Sequence, residues 1–114
     1  MSTWLSDPEV ETFRELMVMN TLRGSEGAGV VAVSQAKRDI HALKTDASGA
    51  DLVMSGPFYR LMQHRRRILV GHCRLPTKGS LALDSVHPHR VGPIYGVHNG
   101  TLWHVNGKPV PPVD

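Results

Sequence analysis

The sequence predicts an α+β fold in which the sheet is mostly antiparallel. Stretches rich in apolar and β-branched residues outnumber the helical patterns. Two of these stretches, residues 30–33 and 40–44, are separated only by a short polar turn. A parallel pair would need a crossover of about a dozen residues or more, so these two strands are expected to pair antiparallel. Strands and helices that do not strictly alternate are typical of the α+β class.

The first predicted helix covers residues 8–22. Ser6 and Glu9 match a capping box, in which each residue satisfies a free backbone N–H of the other. Asp7 is a competing N-cap. One face of the helix repeats at helical spacing and contains a single polar residue: Val10, Phe13, Leu16, Met17 and Asn20.

The remaining elements follow from apolar runs and turn residues. Strands are predicted at 30–33, 40–44, 68–72, 94–98 and 101–105. A short helix is predicted at 50–54. Ser55 is expected to N-cap another helix, whose inward side chains are Phe58, Leu61 and Met62. Asn-Gly at 106–107 predicts a hairpin turn, and Pro109 soon after it argues against a normal central strand.

Composition indicates one cytosolic domain. A chain of 114 residues leaves no room for a second independent core, and a hydrophobic content of 40% is ordinary for a globular protein. Cys73 is the only cysteine, which excludes an internal disulfide and is compatible with a reducing compartment. The sequence contains neither a signal-peptide pattern nor an apolar run of about 20 residues that could span a membrane.

The net charge of +3 raises the possibility of a nucleic-acid-binding protein. Its only obvious basic run is His-Arg-Arg-Arg at 64–67, at the end of a predicted helix. Cations at a helix C-terminus are favoured by the helix dipole. Nucleic-acid binding would need a broad basic face with interleaved aromatic residues. We therefore interpret the run as a solvated helix end.

The run Gly-His-Cys-Arg at 71–74 closes a predicted buried strand. An arginine at the mouth of such a strand can bind a carboxylate through two parallel hydrogen bonds, which a lysine cannot reproduce. Arg74 is therefore a candidate carboxylate-binding residue. The alternative is an ordinary cation at the edge of the core.

A second polar cluster, His-Asn-Gly at 98–100, follows the predicted strand at 94–98. The side-chain NH2 of Asn99 and the backbone N–H of Gly100 could stabilise negative charge on a carbonyl oxygen, as acyl-transfer enzymes require. Taken alone, Asn-Gly is also the commonest hairpin turn signal. Its position downstream of His-Pro-His at 87–89 makes the functional interpretation stronger.

Taken in order, these motifs resemble the glutaminase domain of class II glutamine amidotransferases, which are N-terminal-nucleophile (Ntn) hydrolases. The turn Arg-Gly-Ser-Glu-Gly-Ala-Gly at 23–29 resembles the family's R-G-x-D-S-x-G. The resemblance covers residues 13–102 and implies a four-layer αββα Ntn-hydrolase sandwich. A chain of this length could hold only a partial αββα sandwich, so residues 1–114 are expected to form one domain of this type, incomplete at both ends.

The resemblance also implies roles for individual residues. Arg74 would bind the α-carboxylate of glutamine, and Thr77 would line the same pocket. Asn99 and Gly100 would form the oxyanion hole. Asp114 would begin the family's D-S/T-E element, whose Asp binds the α-amino group. The motif at 71–77 departs from G-H-T-R-x-A-T at three positions: Cys73, Leu75 and Pro76.

The family's nucleophile, a cysteine directly after the initiator Met, is absent from this chain. Its free α-amine would serve as the base. Ser2 occupies that position, but the few residues before the predicted cap at Ser6 leave almost no room for the nucleophile strand. Cys73 is a weaker candidate because it is internal and lacks an available α-amine. We therefore expect little or no glutaminase activity from residues 1–114, and we keep Ser2 only as a minor alternative.

The seven histidines allow a metal hypothesis. His87 and His89 could point to one side of a strand, with His72 and His98 nearby. Zinc needs three or four converging ligands, usually with recognisable spacing. We favour structural histidines, and we predict neither a metal nor another cofactor.

Two functions remain from the sequence. The leading one is a glutaminase-like domain that binds L-glutamine or glutamate and, in intact relatives, passes ammonia to an acceptor or synthase domain or protein. The alternative is a non-catalytic module that binds an amino acid or a partner protein. Neither involves a membrane.

Overall fold

The computed structural model describes residues 4–34, 39–75, 86–97 and 104–109. These residues form an α+β fold in which every described strand pair is antiparallel, as predicted. The elements in chain order are α1 (Asp7–Asn20), β1 (Ala28–Val33), β2 (Ile40–Thr45), α2 (Gly49–Val53), α3 (Gly56–Leu61), β3 (Ile68–Cys73), β4 (His89–Val91), β5 (Ile94–Gly96), β6 (His104–Val105) and β7 (Lys108–Pro109).

The main sheet has three strands in the order β2-β1-β3. Val31 of β1 lies opposite Ala42 on one side and Val70 on the other. Because partners in register share a face, alternate residues of the three strands define two faces of the sheet. The strand β1 is buried over nearly its whole length, so both of its faces are covered.

The helices cover the first face of the sheet. Ala28, Val30 and Ala32 point into this layer and are completely buried. Phe58 of α3 is also completely buried and stacks on Phe13 of α1, with ring centroids 6.3 Å apart. The other buried members of this core are Met17, Leu52, Val53, Leu61 and Cys73. This layer is the hydrophobic core.

Residues 86–97 cover the second face of the sheet along β1, whereas Ala42 of β2 and Val70 of β3 on the same face are exposed. Val86, His87 and Pro88 are buried where the chain crosses β1. The hairpin β4–β5 then lies over another part of this face. A cavity of about 370 Å³ remains between the hairpin and the sheet. The cavity is lined mostly by apolar side chains: Val31, Val33, Ile40, Val70, Pro93, Tyr95, Gly96 and Val97.

The start of α1 agrees with the predicted capping box. The Ser6 hydroxyl accepts from the Glu9 N–H at 3.3 Å, and the Glu9 carboxylate accepts from the Ser6 N–H at 2.9 Å. The Glu9 carboxyl is exposed, and hydrogen bonds that it accepts from the backbone N–H and the hydroxyl of Ser6 lower its pKa. The helix ends at Asn20 rather than at residue 22. Leu16 and Asn20 are exposed, so the packed face is narrower than predicted.

Replacing Ser6 by alanine is expected to destabilise the protein by about 1 kcal/mol, because the first turn of α1 loses its side-chain acceptor. Urea unfolding followed by circular dichroism measures this change. Ser25→Ala, in an exposed turn, is the matched control and should leave the midpoint unchanged. Equal stability of the Ser6→Ala variant and the wild type would contradict the capping role.

The other predicted elements fall close to their observed positions. Ser55 caps α3, and Phe58 and Leu61 of that helix are buried, as predicted. Asn106 and Gly107 form the predicted hairpin turn with φ values of 53° and 75°. The strand predicted at 94–98 ends at residue 96 in the structure. Residues 101–103 of the last predicted strand lie outside the described part of the chain.

The interpretation of the basic run as a solvated helix end was wrong for Arg66. This side chain is only 3% exposed, and its Nε donates to the carbonyl of Leu61, the last residue of α3, at 3.1 Å. Arg65 and Arg67 are exposed. Arg66 therefore stabilises the C-terminal end of α3 from within the protein interior. None of the helices in the described part of the chain has the length and apolar character needed to cross a lipid bilayer.

Candidate functional site

Arg74 follows β3 directly and is completely buried. Its backbone N–H donates to the Gly27 carbonyl at 2.8 Å, and its carbonyl accepts from the Glu26 N–H at 3.3 Å. These two bonds fix the end of β3 against the turn that leads into β1. The motifs at 23–29 and 71–74, which are far apart in the sequence, therefore meet around one arginine.

Two glycines make this close packing possible. A side chain at Gly24 would collide with the backbone of Arg74, and one at Gly29 would collide with the carbonyl of His87. Val86 and the aliphatic part of Arg74 both lie beside Gly27. The segment at 86–88 thus completes a cluster of three motifs at this end of the sheet.

Three histidine rings pack together as a ring stack beside this cluster, with neighbouring rings tilted by 38° and 56°. The centroid of the His87 ring lies 3.9 Å from that of His72 and 4.4 Å from that of His89. His87 is completely buried, whereas the other two are partly exposed. By strand alternation, His72 and Arg74 lie on the same, second face of the sheet.

The charged residues of this face are mostly positive, and Asp46, which follows β2 at the register position that Arg74 has after β3, is the exception. Among the described residues, the second face of the sheet carries Lys44, and the covering segment 86–97 carries Arg90 but no acidic residue. Together with Arg74, they favour an anionic ligand over a cationic one. The described ranges contain no group of three or more His, Cys, Asp or Glu side chains that could hold a metal ion.

Cys73 lies on the opposite face, in the core. Its side chain is 3% exposed, and its Sγ lies 3.7 Å from the carbonyl oxygen of Met17. Burial raises the pKa of the Cys73 thiol above its ordinary value. A buried neutral thiol is a poor nucleophile, which agrees with the prediction that Cys73 is a weak candidate for the attacking group.

Arg74 is the one predicted site residue that the structure describes. The other five, Ser2, Thr77, Asn99, Gly100 and Asp114, lie outside the described residues. The ring stack was not predicted as such, although His72, His87 and His89 were grouped in the metal hypothesis. Spacing alone carried no signal that His87 would be buried, because its burial comes from the way the chain crosses Gly29.

No protein family, curated protein or solved structure matches this chain in comparisons of sequence and fold. The geometry of the described residues instead supplies a buried arginine at a strand end, a glycine turn packed against its backbone and a histidine stack beside it. Among small anions a carboxylate matches the planar guanidinium best, and it would have to reach an Arg74 side chain that is completely buried in this structure.

Proposed function

We propose that this chain is a glutaminase-like domain of the class II glutamine amidotransferase type, which binds L-glutamine or glutamate through Arg74. The observation that carries the proposal is the packing of the motifs at 23–29, 71–74 and 87–89 against one another at the end of β3, where Arg74 is buried. Each motif was singled out for this resemblance from the sequence alone. Their meeting around Arg74 supports a shared site.

The environment of Arg74 suits an amino-acid carboxylate. A guanidinium away from water interacts with an anion more strongly than one at the surface does. Two parallel hydrogen bonds to the α-carboxylate also fix the orientation of glutamine. A fixed orientation is needed because the reacting group, the side-chain amide, lies at the opposite end of the ligand. Lys44 on the second face of the sheet and Arg90 on the covering segment also favour the approach of a negatively charged group.

The chemistry that this proposal implies is the acyl transfer of class II glutamine amidotransferases. A terminal cysteine attacks the side-chain amide of glutamine, ammonia leaves for an acceptor domain or protein, and water hydrolyses the thioester to glutamate. In this chain Asn99 and Gly100 are the proposed oxyanion-hole residues, and Thr77 and Asp114 are the proposed additional ligands of glutamine. We propose that the described fold is part of an αββα sandwich, which would include the helix layer, the main sheet and the covering segment 86–97.

We infer that residues 1–114 bind the amino acid without hydrolysing it. The burial and raised pKa of Cys73 favour this second candidate function, a non-catalytic binding module, over a catalytic one. Ser2 is the remaining candidate nucleophile. Hydrolysis of glutamine by the purified chain that is abolished by Ser2→Ala would contradict the non-catalytic proposal.

Isothermal titration of the purified chain with L-glutamine tests the binding proposal. Arg74→Lys keeps the charge but loses the bidentate geometry, and the affinity is expected to fall about 30-fold or more, which corresponds to about 2 kcal/mol. Arg67→Lys is the matched control, since Arg67 is an exposed arginine just before the same strand.

Circular dichroism establishes that both variants are folded before the titrations are compared. An unchanged affinity in folded Arg74→Lys would contradict the role of Arg74. The absence of any heat of binding with the wild-type chain, for both L-glutamine and L-glutamate, would contradict the proposed function as a whole.

A further inference from the structure

A cleft separates the hairpin β4–β5 from the second face of the sheet. Its apolar end is the cavity of about 370 Å³, and its cationic end is a cavity of about 510 Å³ between β2 and the covering segment. Ile40 and Tyr95 line both cavities, so the two ends adjoin there. We propose that this cleft binds a free medium-chain fatty acid, with the chain in the apolar end and the carboxylate in the cationic end. The proposal goes beyond the binding of glutamine and does not depend on it.

The apolar end of the cleft suits an aliphatic chain. The sheet contributes Val31, Val33 and Val70 to its lining, and Val97 contributes from the end of the hairpin. Among the described lining residues only Tyr95 is aromatic, and none is charged. Val70 and Val97 are 39% and 44% exposed, so a bound chain would remove apolar surface from water on both walls.

The cationic end carries two side chains that suit a carboxylate. Lys44 lies on the second face of β2 and Arg90 lies in β4, and both line this end of the cleft. Arg90 pairs with Tyr95 across the hairpin, and its guanidinium lies 5.1 Å from the centre of that ring. In the described part of the chain, no ion pair holds the Lys44 ammonium. Both cations are therefore available to an anionic head group.

The acidic side chains near this end do not cancel its charge. Asp46 is exposed on the same face two positions beyond Lys44, and it lines neither cavity. Asp39 contacts His41 instead, with 2.7 Å between its Oδ1 and the imidazole Nε2. A ligand in the cleft thus meets two cations at one end and aliphatic side chains at the other. This combination favours an anion with an apolar chain over a neutral lipid or a cation.

The length of the cleft agrees with a medium chain. Lys44 and Ile40 are four residues apart on one strand, a distance of about 13 Å, which is similar to the length of extended decanoate. The exposed Val70 leaves the cleft open to solvent, so a ligand can enter without moving the buried segment 86–88. Arg74 is completely buried and lines neither cavity. The cleft is therefore a site separate from that of Arg74.

Isothermal titration of the full chain with decanoate, below its micelle concentration, tests the proposal. Saturable one-to-one binding is expected. The neutral 1-decanol should bind at least about tenfold more weakly, because it cannot make charge-assisted hydrogen bonds to the two cations. Butyrate should bind at least about a hundredfold more weakly, because it lacks most of the chain. The absence of saturable decanoate binding, or an equal affinity for 1-decanol, would overturn the proposal.

Two pairs of matched variants locate the ligand, once circular dichroism shows that they are folded. Lys44→Gln is expected to lower the decanoate affinity about tenfold, whereas Lys108→Gln, an exposed lysine of β7, should leave it unchanged. Val97→Asp should lower the affinity at least about tenfold by placing a carboxylate at the apolar end. Val91→Asp is its control, because Val91 is 76% exposed in the same hairpin and lines neither cavity.

The outcome of these comparisons decides the site. An unchanged affinity in folded Lys44→Gln would overturn the proposal, and so would equal losses in Val97→Asp and Val91→Asp. If Val97→Asp fails to fold, Lys44→Gln decides alone, since Lys44 is exposed. Excess L-glutamine is expected to leave decanoate binding unchanged, and displacement of decanoate by L-glutamine would assign it to the site of Arg74 and overturn a separate cleft.

Discussion

Gly29→Ala is expected to destabilise the protein by about 3 kcal/mol or more, among the largest effects of a single added methyl group. The new Cβ would occupy the position of the His87 carbonyl oxygen. Because that oxygen belongs to the backbone, no side-chain rotation relieves the collision. Either β1 or the covering segment 86–97 must move, and hydrogen exchange should show loss of protection first in residues 86–97.

Gly96→Ala is the matched control for this prediction. Gly96 also lies in a strand, β5, but a Cβ there would have no neighbour within 4 Å. The expected change in unfolding free energy is within about 0.5 kcal/mol. If Gly29→Ala were as stable as Gly96→Ala in urea unfolding, the described contact between the sheet and residues 86–88 would be wrong.

Phe58→Ala is expected to cost about 3–5 kcal/mol of unfolding free energy. The ring is completely buried between α1 and the sheet, stacks on Phe13 and lies under the guanidinium of Arg14 at 4.8 Å. Truncation would leave a cavity that the short helix α3 cannot fill without losing its other contacts. The midpoint of thermal unfolding, measured by circular dichroism, should fall accordingly.

The neighbouring aromatic residue gives the control. Tyr59 is 63% exposed on the other side of α3, so Tyr59→Ala should change stability by less than about 1 kcal/mol. The two variants remove similar side chains from adjacent positions of one helix. Comparable losses of unfolding free energy in Phe58→Ala and Tyr59→Ala would contradict the described orientation of α3.

The strands and helix caps could be predicted because their signals are local. A β-branched run at Val30, Val31 and Val33 favours a strand, and its apolar character on both faces predicts burial. Ser6 and Ser55 accept hydrogen bonds from residues three positions later, so their roles depend only on the next turn of chain.

Features that depend on distant partners could not be predicted in this way. The strand β4 was missed because it has three residues and exists only by pairing with β5. The burial of Arg66, but not of Arg65 or Arg67, depends on where β3 enters the sheet after α3. Leu16 and Asn20 follow helical spacing, yet α1 contacts the sheet along a narrower line than that pattern implied.

In the candidate site, too, some features depend on the local sequence and others on contacts between distant residues. The polarity and order of the motifs at 71–74 and 87–89 could be read from the sequence, whereas the binding role of Arg74 stays a prediction. That Gly24 and Gly29 allow two backbone segments to lie against each other is a property of the folded chain. The ring stack is also tertiary, because it joins His72 to residues at least 15 positions later in the sequence.

The most direct test of the central claim is to observe the Arg74 guanidinium when the ligand binds. In 15N-labelled protein, the Nε–H resonance of Arg74, assigned by its loss in Arg74→Lys, is followed during titration with L-glutamine. The account predicts a saturable shift with L-glutamine and L-glutamate and none with L-glutaminol, which lacks the α-carboxylate. An unchanged resonance at saturating L-glutamine, or an equal shift with L-glutaminol, would contradict the assignment of Arg74 as the carboxylate-binding residue.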